Sequence, residues 1–451
     1  MGFFIGREIS IPLVSCQPKL IARERLTRSS SPVSETIDIN SLIEAGHWPL
    51  AEMLLRQSLL QDSSCAWAED GLGRIAANLG LFEAAAEHFR RAMTLAPDWP
   101  DPAFNFEAAL SFASFLGESN GADASGSGPP RRILIKAWGY GFWSDVFHVL
   151  SQLLLAEISQ RQPIIHWGWN SLYRRSDSAN AFEHFFQPLP QSSLQDLENL
   201  KDLSDSEIWP PKWNRQNLLE GGINQAFGPY SRIAGLYLLN RPECLVVSDF
   251  FTAILDLLPW IPTDHPLRGS SLEGAYRALA QKYLKPRQEI LETSEKFIEK
   301  HLEPERFLAV HLRGLDKISE HKQVEQEHLT SQQHIDHHLD LFPDEPIFLM
   351  TDDLNLLDQF KGRYGQRIIT NACQRASGSL GLHKLPDQDG VRLGQEVMVD
   401  TYTATRARAF IGHGQSNTSL AVVYLKAWPS GTVTLVGPNL MENYNLVLHQ
   451  G

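Results

Sequence analysis

From Phe307 onward, short apolar runs alternate with amphipathic stretches so regularly that few architectures can accept the chain. FLAVHL (307–312), PIFLMTDD (346–353), QRIITN (366–371), AFIGHG (409–414) and TVTLVG (432–437) are short, apolar and rich in β-branched residues, the pattern of buried strands. Between them, LNLLDQFKGRYG, GQEVMVDTYTATRAR (394–408) and SNTSLAVVYLKAW carry helical patterns. Strand and helix in strict alternation predict a parallel sheet covered by helices, here a Rossmann-like half from about 304 to 445. An earlier stretch opens the same way. RRILIKAW (131–138), a Gly139-Tyr140-Gly141 turn, an amphipathic helix and PIIHW (163–167) make a βαβ unit.

Ahead of these lies a different pattern. Residues 66 to 99 read as two helices turning at Gly80, with Leu72, Gly73, Ala76, Gly80, Ala85, Phe89, Ala92 and Pro97 where a tetratricopeptide repeat places its packing residues. Stepping back 34 residues finds Gly46, Ala51 and Leu55 at equivalent places, which predicts a second repeat at about 32 to 65. DPAFNFEAALSFASFLG (101–117) is a further helix that caps the stack. Two repeats and a cap are few for a free-standing solenoid, so this all-α domain is expected to lean on the next and to serve as support, as a homodimer contact or as a dock for an acceptor or protein partner. ESNGADASGSGPP (118–130), small, polar and breaker-rich, is the domain linker. The expected domains are then 32–117, the linker 118–130, a first half 131–303 and a second half 304–451. The region from 171 to 300 is less regular. IWPPKWN (208–214) serves either as an exposed sugar-stacking loop or as the anchor of an irregular connection.

A formal charge of -13 argues against a nucleic-acid protein, whose surface normally carries a positive field. The four cysteines lack metal or redox spacing, and no apolar run approaches the roughly 20 residues that span a bilayer, so a soluble cytoplasmic location is the default expectation. His334, His337 and His338 suggest a metal site only as a minor alternative to a solvated helix face. No metal or other cofactor is expected.

Chemistry concentrates where strands end. VHLRGLDK (310–317) puts Arg313, Asp316 and Lys317 just beyond an apolar strand, at the carboxyl-end crevice where open α/β sheets bind ligands. A guanidinium there suits a pyrophosphate through paired, charge-assisted hydrogen bonds, although an ordinary loop ion-pair cluster accounts for the same residues. Gly139 and Gly141 allow close approach of a ligand to the backbone, with the next helix offering N–H groups to negative charge; a plain tight turn explains them equally well.

Taken in order, VHLRGLDK, FLMTDD and EVMVDTYTATRARAFIGHGQSNTSLAV resemble the superfamily of α-1,6-fucosyltransferases, nodulation fucosyltransferases and protein O-fucosyltransferases. The family's HVRRTDK signature is similar to His311-Leu-Arg313-Gly314-Leu-Asp316-Lys317, its ATDD strand end to Thr351-Asp352-Asp353, and its helix Asp with a serine-rich turn to Asp400 and Gly414-Gln415-Ser416-Asn417. The resemblance implies a GT-B glycosyltransferase with two facing Rossmann-like halves, a GDP-fucose donor, a glycan or protein acceptor, and inverting transfer without a metal. It makes Arg313 the catalytic group on the β-phosphate, His311 and Asp400 contacts to guanine, Ser416 and Asn417 phosphate ligands, and Asp352 and Asp353 organisers of the donor loop, with helix capping as their plainer role. Two positions depart from the pattern. Gly314 replaces the second arginine, as in the sparser pattern of the protein O-fucosyltransferases, and His321 stands where the α-1,6 group has a glutamate. Glu320, His321, Glu325 and Glu327 remain candidate bases for the acceptor hydroxyl. Other readings are a transferase using another nucleotide sugar, such as UDP-N-acetylglucosamine, and a degenerate nucleotide-binding scaffold.

Overall fold

A computed structural model describes residues 39–44, 48–78, 81–118, 131–189, 200, 203–210, 213–219, 241–248, 254–258, 261–262, 264–314, 324–377, 382 and 388–437. They belong to two compact units, one helical and one α/β.

The helical unit contains α1 (Ile39–Glu44), α2 (Trp48–Gln61), α3 (Ala66–Asn78), α4 (Phe82–Leu95) and α5 (Asp101–Glu118). Leu72, Ile75, Ala85, Phe89 and Ala92 are buried between them. Phe89 lies so close to Gly73 that a Cβ there would sit 2.5 Å from its ring, which is why a large and a small residue face one another. Polar pins add to this packing. Arg74 Nη1 donates to Asn40 Oδ1 at 3.1 Å and Asn105 Nδ2 to Asp70 Oδ1 at 3.2 Å, joining residues 34 and 35 apart, the spacing of one helix pair.

The α/β unit holds two parallel sheets. The first contains β1 (Arg132–Lys136), β2 (Gln162–His166), β3 (Ile208–Trp209) and β4 (Leu245–Ser248) in the order β2-β1-β4-β3. Its helices are α6 (Phe142–Ile158), α7 (Ile254–Leu257) and α8 (Leu272–Tyr283). After α9 (Gln288–His301), the second sheet contains β5 (Leu308–His311), β6 (Ile347–Met350), β7 (Ile368–Ile369), β8 (Ala409–His413) and β9 (Val433–Val436). Its order is β7-β6-β5-β8-β9, all parallel. The connecting helices are α10 (Val324–Leu341), α11 (Leu354–Tyr364), α12 (Gly390–Ala404) and α13 (Asn417–Leu425).

Strand alternation explains the double layer. Leu308, Val310 and Leu312 point to one face, where they pack with Ile335 of α10 and Leu356, Leu357 and Phe360 of α11. Phe348 points to the other face and meets Phe297 of α9 with ring centroids 5.6 Å apart. Both faces are therefore dry, which is why these strands lack polar alternation.

The halves meet along an aromatic seam. Tyr276 of α8 stacks on Tyr424 of α13 at 4.6 Å, Phe147 of α6 lies 5.0 and 5.7 Å from those two rings, and buried Trp143 donates its indole N–H to Thr401 of α12 at 2.9 Å.

The irregular middle region decides between the two readings of IWPPKWN. Trp209 and Trp213 are 4% and 2% exposed, so IWPPKWN is no exposed sugar-stacking loop. Trp213 lies under the Lys136 ammonium at 4.5 Å and Trp209 under the Arg241 guanidinium at 4.7 Å, so this segment anchors the connection. One boundary differs from expectation: α12 begins at Gly390, ahead of the expected 394, because Asp389 caps it by accepting from the Val391 and Arg392 N–H groups. Among the described residues no helix is long and apolar enough to cross a membrane.

Candidate functional site

In the second sheet β5 leads outward to β6 and β7 on one side, while β8 and β9 lie on the other. The carboxyl ends of β5 and β8 therefore flank the point where strand order reverses, the crevice that open α/β sheets use for ligands. Two histidines end these strands. His311 Nδ1 lies 2.7 Å from Ser419 Oγ, and that hydroxyl accepts from the His413 N–H at 3.0 Å. The Ser419 hydroxyl thereby ties the two strand ends together. Burial, with His413 and Arg313 nearby, pushes His311 down to about 3, so it is neutral in any ordinary buffer.

Arg313 follows two residues later. Its Nη1 donates to the Gln415 carbonyl at 2.6 Å, and its own carbonyl accepts from His328 Nε2 of α10 at 2.8 Å. The arginine is thereby held from both ends, against the turn that opens α13. Ser416, 6% exposed, caps that helix through its hydroxyl. The Asn417 and Thr418 N–H groups that follow are of the kind a helix leaves without internal partners, and they form a ready seat for negative charge.

Gly314 is explained by its neighbour. A Cβ at this position would lie 2.4 Å from Cβ and 2.7 Å from Oδ2 of Asp353. Asp353, 2% exposed, caps α11 by accepting from the Asn355 and Leu356 N–H groups. Any side chain at 314 would require Asp353 to shift, which accounts for glycine at this position. The Asp352 carbonyl accepts from the Ala376 N–H at 3.0 Å, tying the strand end to the segment after β7.

That segment reaches Asp400. Arg375 holds it in shape, donating to the carbonyls of Thr351, Cys373 and Asn371 at 3.0, 3.2 and 3.0 Å and to the Thr370 hydroxyl. Asn371 Nδ2 then donates to Asp400 Oδ1 at 2.6 Å. Burial pushes Asp400 up to about 6, with the Asn371 hydrogen bond and Arg375 opposing. Asp400 is one residue from Thr401, the contact that Trp143 makes from the first half.

The first-half turn is arranged differently. Gly139 has φ of 87°, which its lack of a Cβ permits, but the N–H groups of Gly139 and Tyr140 are already engaged. Asp145 Oδ1 accepts from the Gly139 N–H at 2.9 Å and the Tyr140 N–H at 3.3 Å, while the Phe142 N–H goes to the Tyr173 hydroxyl at 2.8 Å. Gly141 is the α6 N-cap residue. Asp145 itself is fully buried, and burial pushes it up to about 8.

The fold thus gathers His311, Arg313, Ser416 and Asn417 at one crevice, links Asp353 to it through Gly314, and reaches Asp400 through the segment 370–376. Asp316, Lys317, Glu320 and His321 lie outside the described residues, as does the Glu325 side chain. Glu327 is committed elsewhere: its Oε2 lies 3.0 Å from His413 Nδ1. His338 pairs with Glu345 at 3.0 Å while His334 and His337 are exposed, and among the described residues no group of three or more histidine, cysteine or carboxylate side chains is placed to hold a metal. Sequence reasoning missed His328, His413, Ser419, Asn371, Arg375 and Asp145. Only His413 left a usable sign, since it ends its strand as His311 ends the neighbouring one.

No family model matches the chain, and no curated protein does. Similar solved structures include NodZ alpha-1,6-fucosyltransferase soaked with GDP-fucose, 17% identical over 66% of this chain and 93% of that one, with a TM-score of 0.46. A mutant of Arabidopsis thaliana FUT1 in complex with GDP is 12% identical over 72% and 76%, with a TM-score of 0.42. POFUT1 in complex with GDP is 15% identical over 69% of this chain and 100% of that one, with a TM-score of 0.37.

Proposed function

We propose that this chain is a GT-B fucosyltransferase that moves fucose from GDP-fucose to a glycan or protein hydroxyl, with inversion and without a metal. The observation that carries the reading is the meeting of Arg313 with the turn 415–417 at the switch point, since these two motif segments lie 102 residues apart in sequence and bond directly. Transfer is a single displacement. The acceptor oxygen forms its bond to the sugar's anomeric carbon as the bond to the β-phosphate oxygen breaks, the acceptor proton passes to a base, and GDP departs with the bonding pair. Negative charge grows on the departing oxygen. Arg313, held by Gln415, and the α13 N–H groups meet that charge, and a donor placed there acts more strongly on the transition state than on the bound donor. Ser416 and Asn417 frame the phosphates. His311 and Asp400 are the proposed guanine contacts, because one carboxylate can accept from the base's N1–H and exocyclic amine together. Glu320 and His321 are the proposed bases.

The first-half turn is given no phosphate in this reading, since Asp145 holds its N–H groups. The helical unit would position the acceptor or a partner chain. Gly314 need not mark a degenerate enzyme, because Asp353 fills the space an arginine would take.

Titration of the purified protein with GDP, ADP and UDP tests the reading. GDP should bind at least about tenfold tighter than either, a difference of about 1.4 kcal/mol. Equal affinities would remove the guanine assignment, a UDP preference would favour a uridine-nucleotide donor, and GDP binding without sugar transfer to any acceptor would leave a nucleotide-binding scaffold.

A further inference from the structure

Asp400 is 8% exposed, and burial drives its carboxyl toward the neutral form; Glu396, four residues back on α12, pushes the same way. One short hydrogen bond opposes them. Asn371 Nδ2 donates to Asp400 Oδ1 at 2.6 Å, whereas Cys373 Sγ, 3.8 Å from Oδ2, is a weak donor. Arg375 helps through its charge alone, because its guanidinium is spent on the Thr351, Asn371 and Cys373 carbonyls and the Thr370 hydroxyl. The amide is also presented from a fixed backbone. The Asn371 carbonyl accepts from Arg375 at 3.0 Å, Arg375 Nε reaches Thr351 just past β6, and the Gln374 N–H donates to Glu396 Oε2 at 2.8 Å.

The proton on this carboxyl decides which base edge it can meet. Ionised, it only accepts, which suits guanine with its N1–H and exocyclic amine side by side. Protonated, it offers one O–H donor and one acceptor oxygen. That pattern suits adenine, whose N1 accepts while its amine donates, and it sets a hydrogen against guanine's N1–H. An amide that donates to Oδ1 favours the ionised form, and so favours guanine.

We propose that Asn371 is the positioning residue that sets base selection, holding Asp400 in the ionised form that guanine requires; the assignment rests on reading Asp400 as the contact to the nucleotide base. The full-length protein and its Asn371→Ala and Asn371→Asp variants are titrated with GDP and ADP between about pH 5 and 8.5. The Asp400 carboxyl is followed in parallel by carbon NMR, with Asp400→Asn supplying the assignment, and thermal unfolding checks that each variant is folded. In the natural sequence GDP affinity falls off on the acid side of about pH 6. In Asn371→Ala that midpoint should move up by about one pH unit, the size of one lost hydrogen bond to a charged group, and the GDP-to-ADP affinity ratio near pH 6.5 should narrow about tenfold. Asn371→Asp puts a second carboxylate where the donor was and should move the midpoint further. Two outcomes overturn the proposal and leave the guanine assignment standing: an Asp400 midpoint unmoved in both variants, or a loss of GDP affinity of equal size at every pH, the mark of a merely structural contact. A midpoint that moves in a protein with no GDP preference removes the guanine assignment itself, and the base-selecting role with it.

Discussion

Two strand-turn-helix corners of this molecule look alike in sequence and behave as opposites. Both β1-Gly139-Tyr140-Gly141-α6 and β8-Gly414-Gln415-Ser416-α13 carry glycine between an apolar strand and an apolar helix. What separates them is the fourth helical residue. In the first corner it is Asp145, which reaches back to take the Gly139 and Tyr140 N–H groups. In the second it is Leu420, and the turn's Gly414 and Ser416 N–H groups go to the Val436 and His413 carbonyls, so the seat for charge is the pair of first helical N–H groups, at Asn417 and Thr418, with Arg313 beside it. A glycine turn marks where backbone can approach a ligand; the first turn of the helix decides whether its donors are left to offer.

The largest test of this contrast is Arg313→Ala. Transfer should fall by about two to three orders of magnitude in kcat, by analogy with a lost oxyanion donor, while the unfolding midpoint holds. Undiminished turnover would make the second corner as closed as the first. Gly314→Arg should instead destabilise the fold by about 1–3 kcal/mol, read from denaturant midpoints, because the Asp353 side chain occupies the space. Gly139→Ala should cost about 1 kcal/mol through its positive φ and leave GDP affinity unchanged. A loss of GDP binding there would show that the first corner also carries the nucleotide.

Two further tests are in pH. Asp145 has its pKa raised in the fold from 3.8 to about 8, so the folded state holds a proton that the unfolded state releases. Its stabilising contribution is complete below about pH 4, declines as pH rises, and is gone above about 8. Asp145→Asn should flatten this slope in unfolding midpoints measured between pH 5 and 9. Asp400 gives the second corner the opposite signature in binding. With its pKa near 6, GDP affinity should weaken by up to about tenfold per unit as pH drops below 6, seen by calorimetric titration.

The second sheet was legible because its strands are apolar on both faces and each helix between them is long enough to show its period. β3 was not, since a two-residue strand has no period and its place depends on the packing of Trp209 and Trp213. Within the site, His311, Arg313 and Ser416 could be found as local strings. Ser419 and His328 could not, because they act through contacts that skip 108 and 15 residues. Gly314 looked like a missing charge until its neighbour across the sheet edge was known.

The aromatic seam between the halves has a mechanical consequence. A clamshell motion would have to unstack Tyr276 from Tyr424, break the Trp143 bond to Thr401 and wet rings that are now dry. Such a joint favours a molecule whose traffic runs through its loops, with the two sheets serving as a fixed frame.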